Sequence, residues 1–179
     1  MRVLIAFTFA AVTACASGHP QSSRPTSESV RVVGDVAGGN IRMSASDNVS
    51  TSVIPFSPQQ VWTVLATVYD SLGIPIATVD SKQMLLGNTG FKAYQKLGKT
   101  SLAKLIDCGR TQGFPSADSY DVYLQVTTHI EAKDQGSTVS TMLEAAARPM
   151  AISGEYVKCS SLGTLESAIV AGVRDRLKG

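Results

Sequence analysis

The chain has 179 residues, 44% of them hydrophobic and 17% charged, with a formal net charge of +2, which is enough for one ordinary domain with its own core. The near-neutral balance excludes the strong positive field that holds nucleic acid. Two histidines and three cysteines leave little material for metal clusters or histidine-driven hydrolysis.

Met1 and Arg2 make a short cationic start, residues 3–11 are an apolar run, and Val12-Thr13-Ala14-Cys15 follows. This order reads as a bacterial secretory signal, and the run is too short to span a bilayer permanently. The four residues resemble a lipobox, which implies a lipidated Cys15 and cleavage after Ala14. Each buried acyl methylene contributes about 0.8 kcal/mol, so a multiply acylated cysteine would hold a globular domain on a membrane. Ala14-Cys15-Ala16 also fits ordinary signal cleavage, which would release a soluble periplasmic or secreted protein. Ala16 is not the aspartate of inner-membrane retention, so the expected address is the periplasmic face of the outer membrane. Loss of Arg2 with residues 1–14 takes the cations from 16 to 15 against 14 acids. Cys108 and Cys159 then remain, and in an oxidising compartment with no C-x-x-C present they are expected to form one structural disulfide.

Residues 15–29 are rich in Ser, Pro, Thr, Gly and Gln and read as a flexible tether containing His19. Residues 30–179 read as a single domain. Residues 30–36 and 41–44 suggest a hairpin around Ala37-Gly38-Gly39-Asn40, and residues 49–56 a strand ended by Pro55 and Pro58. Ser57, Pro58 and Gln60 form a capping box, and Val61, Val64, Leu65, Val68 and Leu72 give a helical stripe flanked by Trp62 and Tyr69, closed by Gly73. Residues 75–79 and 83–86 suggest a short hairpin, broken by Gly87-Asn88-Thr89-Gly90. Residues 91–107 suggest a second helix burying Leu97, Leu102, Leu105 and Ile106, with Lys92, Lys96, Lys99 and Lys104 on other faces, followed by a loop over 108–119.

From Tyr120 to Lys133 apolar and polar residues alternate at the period of a half-buried strand, with Tyr123 and His129 on the polar face. Such a strand would exceed about 40 Å and must twist or curve. Asp134-Gln135-Gly136 is the turn, residues 139–146 alternate again, and residues 154–159 read as a connecting loop or short extension. A last helix is expected from Ser160 or Ser161, with Leu162, Leu165, Ile169, Val173 and Leu177 as its stripe.

The expected fold class is α+β: a curved antiparallel sheet packed against two amphipathic helices, helix-grip-like. From residue 49 to 177, the Val61-Trp62 helix, its Leu72-Gly73-Ile74 exit, the two strands after it, the long hairpin and the final helix, all behind a lipobox, resemble the BamC-like lipoprotein subunit of the outer-membrane β-barrel assembly machinery. The chain supplies one such domain where that family carries two, and Cys108 and Cys159 lie outside the family pattern. The resemblance implies an envelope accessory or assembly subunit.

No G-x-S-x-G, H-E-x-x-H or Gly-Lys-Ser/Thr loop occurs, and His129 with Asp118 or Asp121 has no spacing that fixes a triad. A non-enzymatic protein without cofactor or metal is therefore expected. It would be tied to the membrane through Cys15 and would dock an envelope protein. Trp62, Tyr69, Tyr123 and His129 are the candidate partner or ligand surface. The alternative is a carrier holding an apolar molecule or lipid between sheet and terminal helix, lined by Leu124, Val126, Leu143 and Ile169.

Overall fold

The computed structural model describes Ser29–Val30, residues 49–150 and residues 155–179. Strand β1 (Val49–Ile54) ends at Pro55, which has no N–H with which to extend a ladder. Helix α1 (Pro58–Leu72) begins with a reciprocal cap. The Ser57 hydroxyl accepts from the Gln60 N–H at 3.4 Å, and the Gln60 side chain accepts from the Ser57 N–H at 2.9 Å. It stops at Gly73, left-handed at φ 74°, whose N–H donates to the Asp70 carbonyl at 3.0 Å. A side chain at Gly73 would put its Cβ 2.7 Å from the Gly98 Cα, so two backbones touch there.

Strands β2 (Thr78–Asp80), β3 (Leu85–Ala93), β4 (Tyr120–Lys133), β5 (Gly136–Pro149) and β6 (Tyr156–Ser161) follow, before helix α2 (Thr164–Lys178). The fold is α+β, an open antiparallel sheet with two helices. Its order is Ser29–Val30, β6, β5, β4, β3, β2. The β4–β5 hairpin is paired without interruption from Tyr120↔Pro149 to Lys133↔Gly136. The other edge of β5 is shared end to end: β1 covers Ser137 to Met142, and β6 covers Ala145 to Ala147. Ile106–Asp107 adds to the far part of β6. The expected hairpin over 30–36 and 41–44 lies outside the described residues, apart from Val30.

Several expectations are corrected. Gly87-Asn88-Thr89-Gly90 does not break the chain but lies inside β3, where a register shift opposite Leu124 and Val126 marks a bulge. Gly87 passes so close to the Val126 carbonyl that no side chain fits, and the Asn88 side chain bonds the Pro75 carbonyl and the Gly90 N–H. Residues 91–107 form no helix. They complete β3, then make the two-residue ladder Lys96–Leu97 with Thr100–Ser101, the 3-10 turn Leu102–Lys104 and Ile106–Asp107. Gln95 and Gly98, both at positive φ, turn the chain where a helix would have to continue. Leu97, Leu102, Leu105 and Ile106 are buried nonetheless. The stretch expected as a loop or short extension at 154–159 is largely strand β6, and α2 starts at Thr164, because Ser160 and Ser161 belong to that strand. Leu162 is consequently exposed.

On the inner face, Val122, Leu124, Val126, Thr128 and Ile130 of β4 meet Val139, Thr141, Leu143 and Ala145 of β5. Leu65, Val68 and Tyr69 of α1 and Leu165, Ile169 and Val173 of α2 join them in one core cluster. Tyr69, expected beside the helical stripe, is fully buried within it. Its hydroxyl lies 2.8 Å from Thr128 Oγ1 and donates to the Leu86 carbonyl at 3.3 Å, while Thr128 is 2.9 Å from Thr141. Burial pushes the Tyr69 phenol up to about 12, against a smaller downward pull from its bond with Thr128. The neutral phenol is therefore favoured by the fold. Its contribution is complete below pH 10 and is lost as pH rises from about 10 to 12, at about 2 to 3 kcal/mol in total. Tyr69→Phe is expected to cost about 1 to 2 kcal/mol at neutral pH. It should also flatten the alkaline loss of stability, both read from urea midpoints across that pH range.

Cys108 and Cys159 are joined, with a Cα–Cα distance of 4.3 Å, beside the Asp107↔Ser160 pair. The bridge thus ties the 102–119 excursion to β6. Its sequence separation of 51 residues corresponds to about 3 to 4 kcal/mol of unfolded-state constraint. Replacing both cysteines with serine should lower the unfolding free energy by about that amount while leaving the far-ultraviolet circular dichroism unchanged.

Candidate functional site

Strand alternation that sends Val122, Leu124 and Val126 inward sends Asp121, Tyr123, Gln125, Thr127 and His129 to the opposite face of the sheet. Across that face one row runs Lys92, Tyr123, Ala146, Lys158, set by the ladder pairs of β3, β4, β5 and β6. Asp121 and Arg148 form a neighbouring pair. The small, fully buried Ala146 leaves room for the Tyr123 ring to meet Tyr156 edge to face, with centroids 5.2 Å apart. Lys92 Nζ lies 5.1 Å from the Tyr123 ring centre, and the Arg148 guanidinium 4.9 Å from that of Tyr156.

The two phenols are electrostatically unequal. Burial raises Tyr123, but hydrogen bonds from Tyr156 and Lys92, with the Lys92 and Arg148 charges, outweigh it and leave the phenol below its ordinary value. Tyr156 is raised, first by burial and then by its bond to Tyr123. Lys92 is raised by its bond to Tyr123. Together these side chains offer aromatic edges, hydroxyl donors and cations on a rigid strand frame. Of these, Tyr and Arg are the types enriched where binding energy concentrates in protein interfaces, whereas Lys is depleted there.

Beyond this cluster, β5 changes neighbour from Val49 to Cys159, and Glu144 sits at that seam. It is only 2% exposed, and its Oε1 has no hydrogen-bond partner among the described residues. Burial raises its carboxyl above the ordinary range, partly offset by the Lys158 charge.

The structure separates the residues that the sequence proposed as one surface. Tyr123 is central to the outward cluster. His129 shares its face six residues farther along β4, with Nδ1 3.7 Å from Glu131 Oε1. Trp62 is half-buried on α1 against the core, and Tyr69 is wholly interior, so neither faces Tyr123. Cys15 lies outside the described residues. The imagined triad is not assembled. Asp118 is held by the Ser101 hydroxyl at 2.8 Å and the Ala103 N–H at 3.1 Å, and Asp121 is eight residues, about 26 Å, from His129 along the strand. Lys92, Arg148, Tyr156 and Lys158 were not foreseen as a site. Lys92 falls in the stretch the sequence reads as a helix, and Tyr156 and Lys158 in the one it reads as a connecting loop or short extension, although the alternation of Tyr156, Lys158 and Ser160 is a usable signal. Among the described residues, no group of three or more His, Cys, Asp or Glu could hold a metal ion.

No protein-family model matches the chain, and no curated protein matches it.

The seam yields a stability test. A carboxyl raised in the fold contributes stability that is complete below the unfolded value and is lost as pH rises through the folded one. Glu144→Gln should therefore be more stable than the parent at pH 7, with the gap narrowing towards pH 4 in paired urea titrations.

Proposed function

We propose that this chain is a non-enzymatic, membrane-tethered lipoprotein of the bacterial envelope that serves as an accessory or assembly subunit of an envelope protein complex, as the BamC-like resemblance implies. The observation that carries this reading is the contrast between the two faces of the sheet. The inner face is filled by side chains of both helices, while the outer face presents Lys92, Tyr123 and Arg148 around a buried Tyr156. A carrier would need empty volume among Leu124, Val126, Leu143 and Ile169. Those four are buried in the same cluster as Leu65, Val68, Tyr69 and Leu165, so helix side chains occupy that space. The lipobox reading of Cys15 supplies the tether and the address on the periplasmic face of the outer membrane. Among the described residues no helix is long and apolar enough to cross a membrane.

Mild crosslinking of the membrane-extracted protein, affinity purification and mass spectrometry of proteins and small molecules test this. The expected result is a stoichiometric envelope protein whose crosslinking falls at least tenfold with Tyr123→Ala, a loss of about 1.4 kcal/mol or more. Cys15→Ala should move the chain out of the membrane fraction. A monomer bearing an apolar compound would replace this reading with the carrier.

A further inference from the structure

The exposed edges of the sheet are not built alike. The outer edge of β6 is covered at both ends, by Ser29–Val30 against Tyr156 and Val157 and by Ile106–Asp107 against Ser160 and Ser161. The β2 edge is three residues long and ends in Asp80, whose carboxylate is turned back onto the Lys82 and Gln83 N–H groups. Shortness and charge are common means by which an edge strand is kept from pairing with another chain. Strand β1 has neither. Its six residues carry no charge, and among the described residues no strand pairs with its far side. Val49 and Val53 are 51% and 53% exposed there.

The register fixes which groups β1 offers. The turn at 134–135 closes on Lys133↔Gly136, so Gly136, Thr138 and Ser140 bond to β4, and Ser137, Val139 and Thr141 are left to bond Ile54, Ser52 and Ser50. Val49, Thr51 and Val53 therefore aim their N–H and C=O groups at the open edge. The same direction follows from Arg174 on α2, whose Nη2 donates to the Val53 carbonyl at 3.3 Å.

These three residues are complementary to themselves. About a twofold axis through Thr51, a second β1 runs antiparallel with Thr51 opposite Thr51 and each Val49 opposite a Val53. All of these are pairs of the hydrogen-bonded kind, each exchanging both main-chain bonds, and the exposed valines cover one another on the outer face. No like charges meet, although a strand facing its own copy sets every central charge against itself. The long Arg174 contact is exchanged for the Val49 N–H of the second copy. Both copies use the same edge, so the contact closes at two and does not propagate.

We propose that β1 is a self-association edge, which pairs with β1 of a second copy to make one continuous sheet across two chains. One strand from each copy is small beside the about 1,200 Å² at which stable interfaces begin, so the pairing is weak in solution. Anchors on one membrane would strengthen it by raising the local concentration. The Tyr123 cluster stays uncovered in both copies, because β1 borders the 137–142 part of β5 and that cluster lies at 146–148. The pairing itself depends neither on the tether nor on an envelope partner.

The test is sedimentation equilibrium of the mature chain with Cys15→Ser, which keeps every described residue, from about 1 μM to about 1 mM, the range of weak complexes. The expected result is a reversible monomer–dimer equilibrium. Thr51→Lys and Thr51→Glu each set like charges face to face on the axis and should weaken it about fivefold or more, while an equimolar mixture of the two should restore it. Opposed Thr51→Cys residues would have Cα atoms about 5.5 Å apart, within disulfide range, so mild oxidation should link two copies. Val79→Cys, 62% exposed on the opposite edge, should not link. Unchanged thermal midpoints would show that the variants fold. A monomer at every concentration, charge variants that associate like the parent, a mixture that restores nothing, or equal linking of Val79→Cys overturns the proposal. Such a failure alongside a captured envelope protein would leave the accessory-subunit reading intact.

Discussion

The unbroken register of the long hairpin is the constraint on which the other features depend. Fourteen residues of β4 face fourteen of β5, and every second residue points the same way. A one-residue slip would send Leu124 and Val126 into water and Tyr123 into the core, so the buried face specifies the pairing strongly. The same register places both helices on one side and the aromatic and cationic cluster on the other. It also lets β1 and β6 share the remaining edge of β5, which creates the seam occupied by Glu144.

Inside the sheet the core is not purely apolar. The Tyr69, Thr128 and Thr141 hydroxyls form a chain between α1, β4 and β5. Three buried hydroxyls that satisfy one another cost little, but they tolerate few alternative placements of α1, because a displaced partner would leave an unpaired polar group. The polar node sets where the helix sits, and the surrounding aliphatic side chains supply most of the driving force. The Cys108–Cys159 bridge has a parallel role for the 102–119 excursion, which owns little secondary structure and gains its position from β6.

The functional features divide along these lines. The outer face concentrates Tyr, Arg and Lys on strands that the core holds rigid, which lowers the ordering cost of binding.

What could be read from the residues in order was whatever depends on local rules. The capping box at Ser57 and Gln60, the left-handed Gly73 stop, the period of β4 and β5 and the α+β class all follow from near-neighbour geometry. Leu97, Leu102, Leu105 and Ile106 were legible as core residues but not as members of turns and two-residue strands, since four apolar residues at mixed spacing fit either period. The disulfide was legible from the cysteine count and the expected compartment. The outward cluster was not, because Lys92, Tyr123, Arg148 and Tyr156 come from four strands and meet only when the register aligns them. Tyr69 shows the same limit: its helix was evident, but only the tertiary structure set its hydroxyl against Thr128. Periodicity assigns a side chain to one face of its own element, and packing then decides what that face meets.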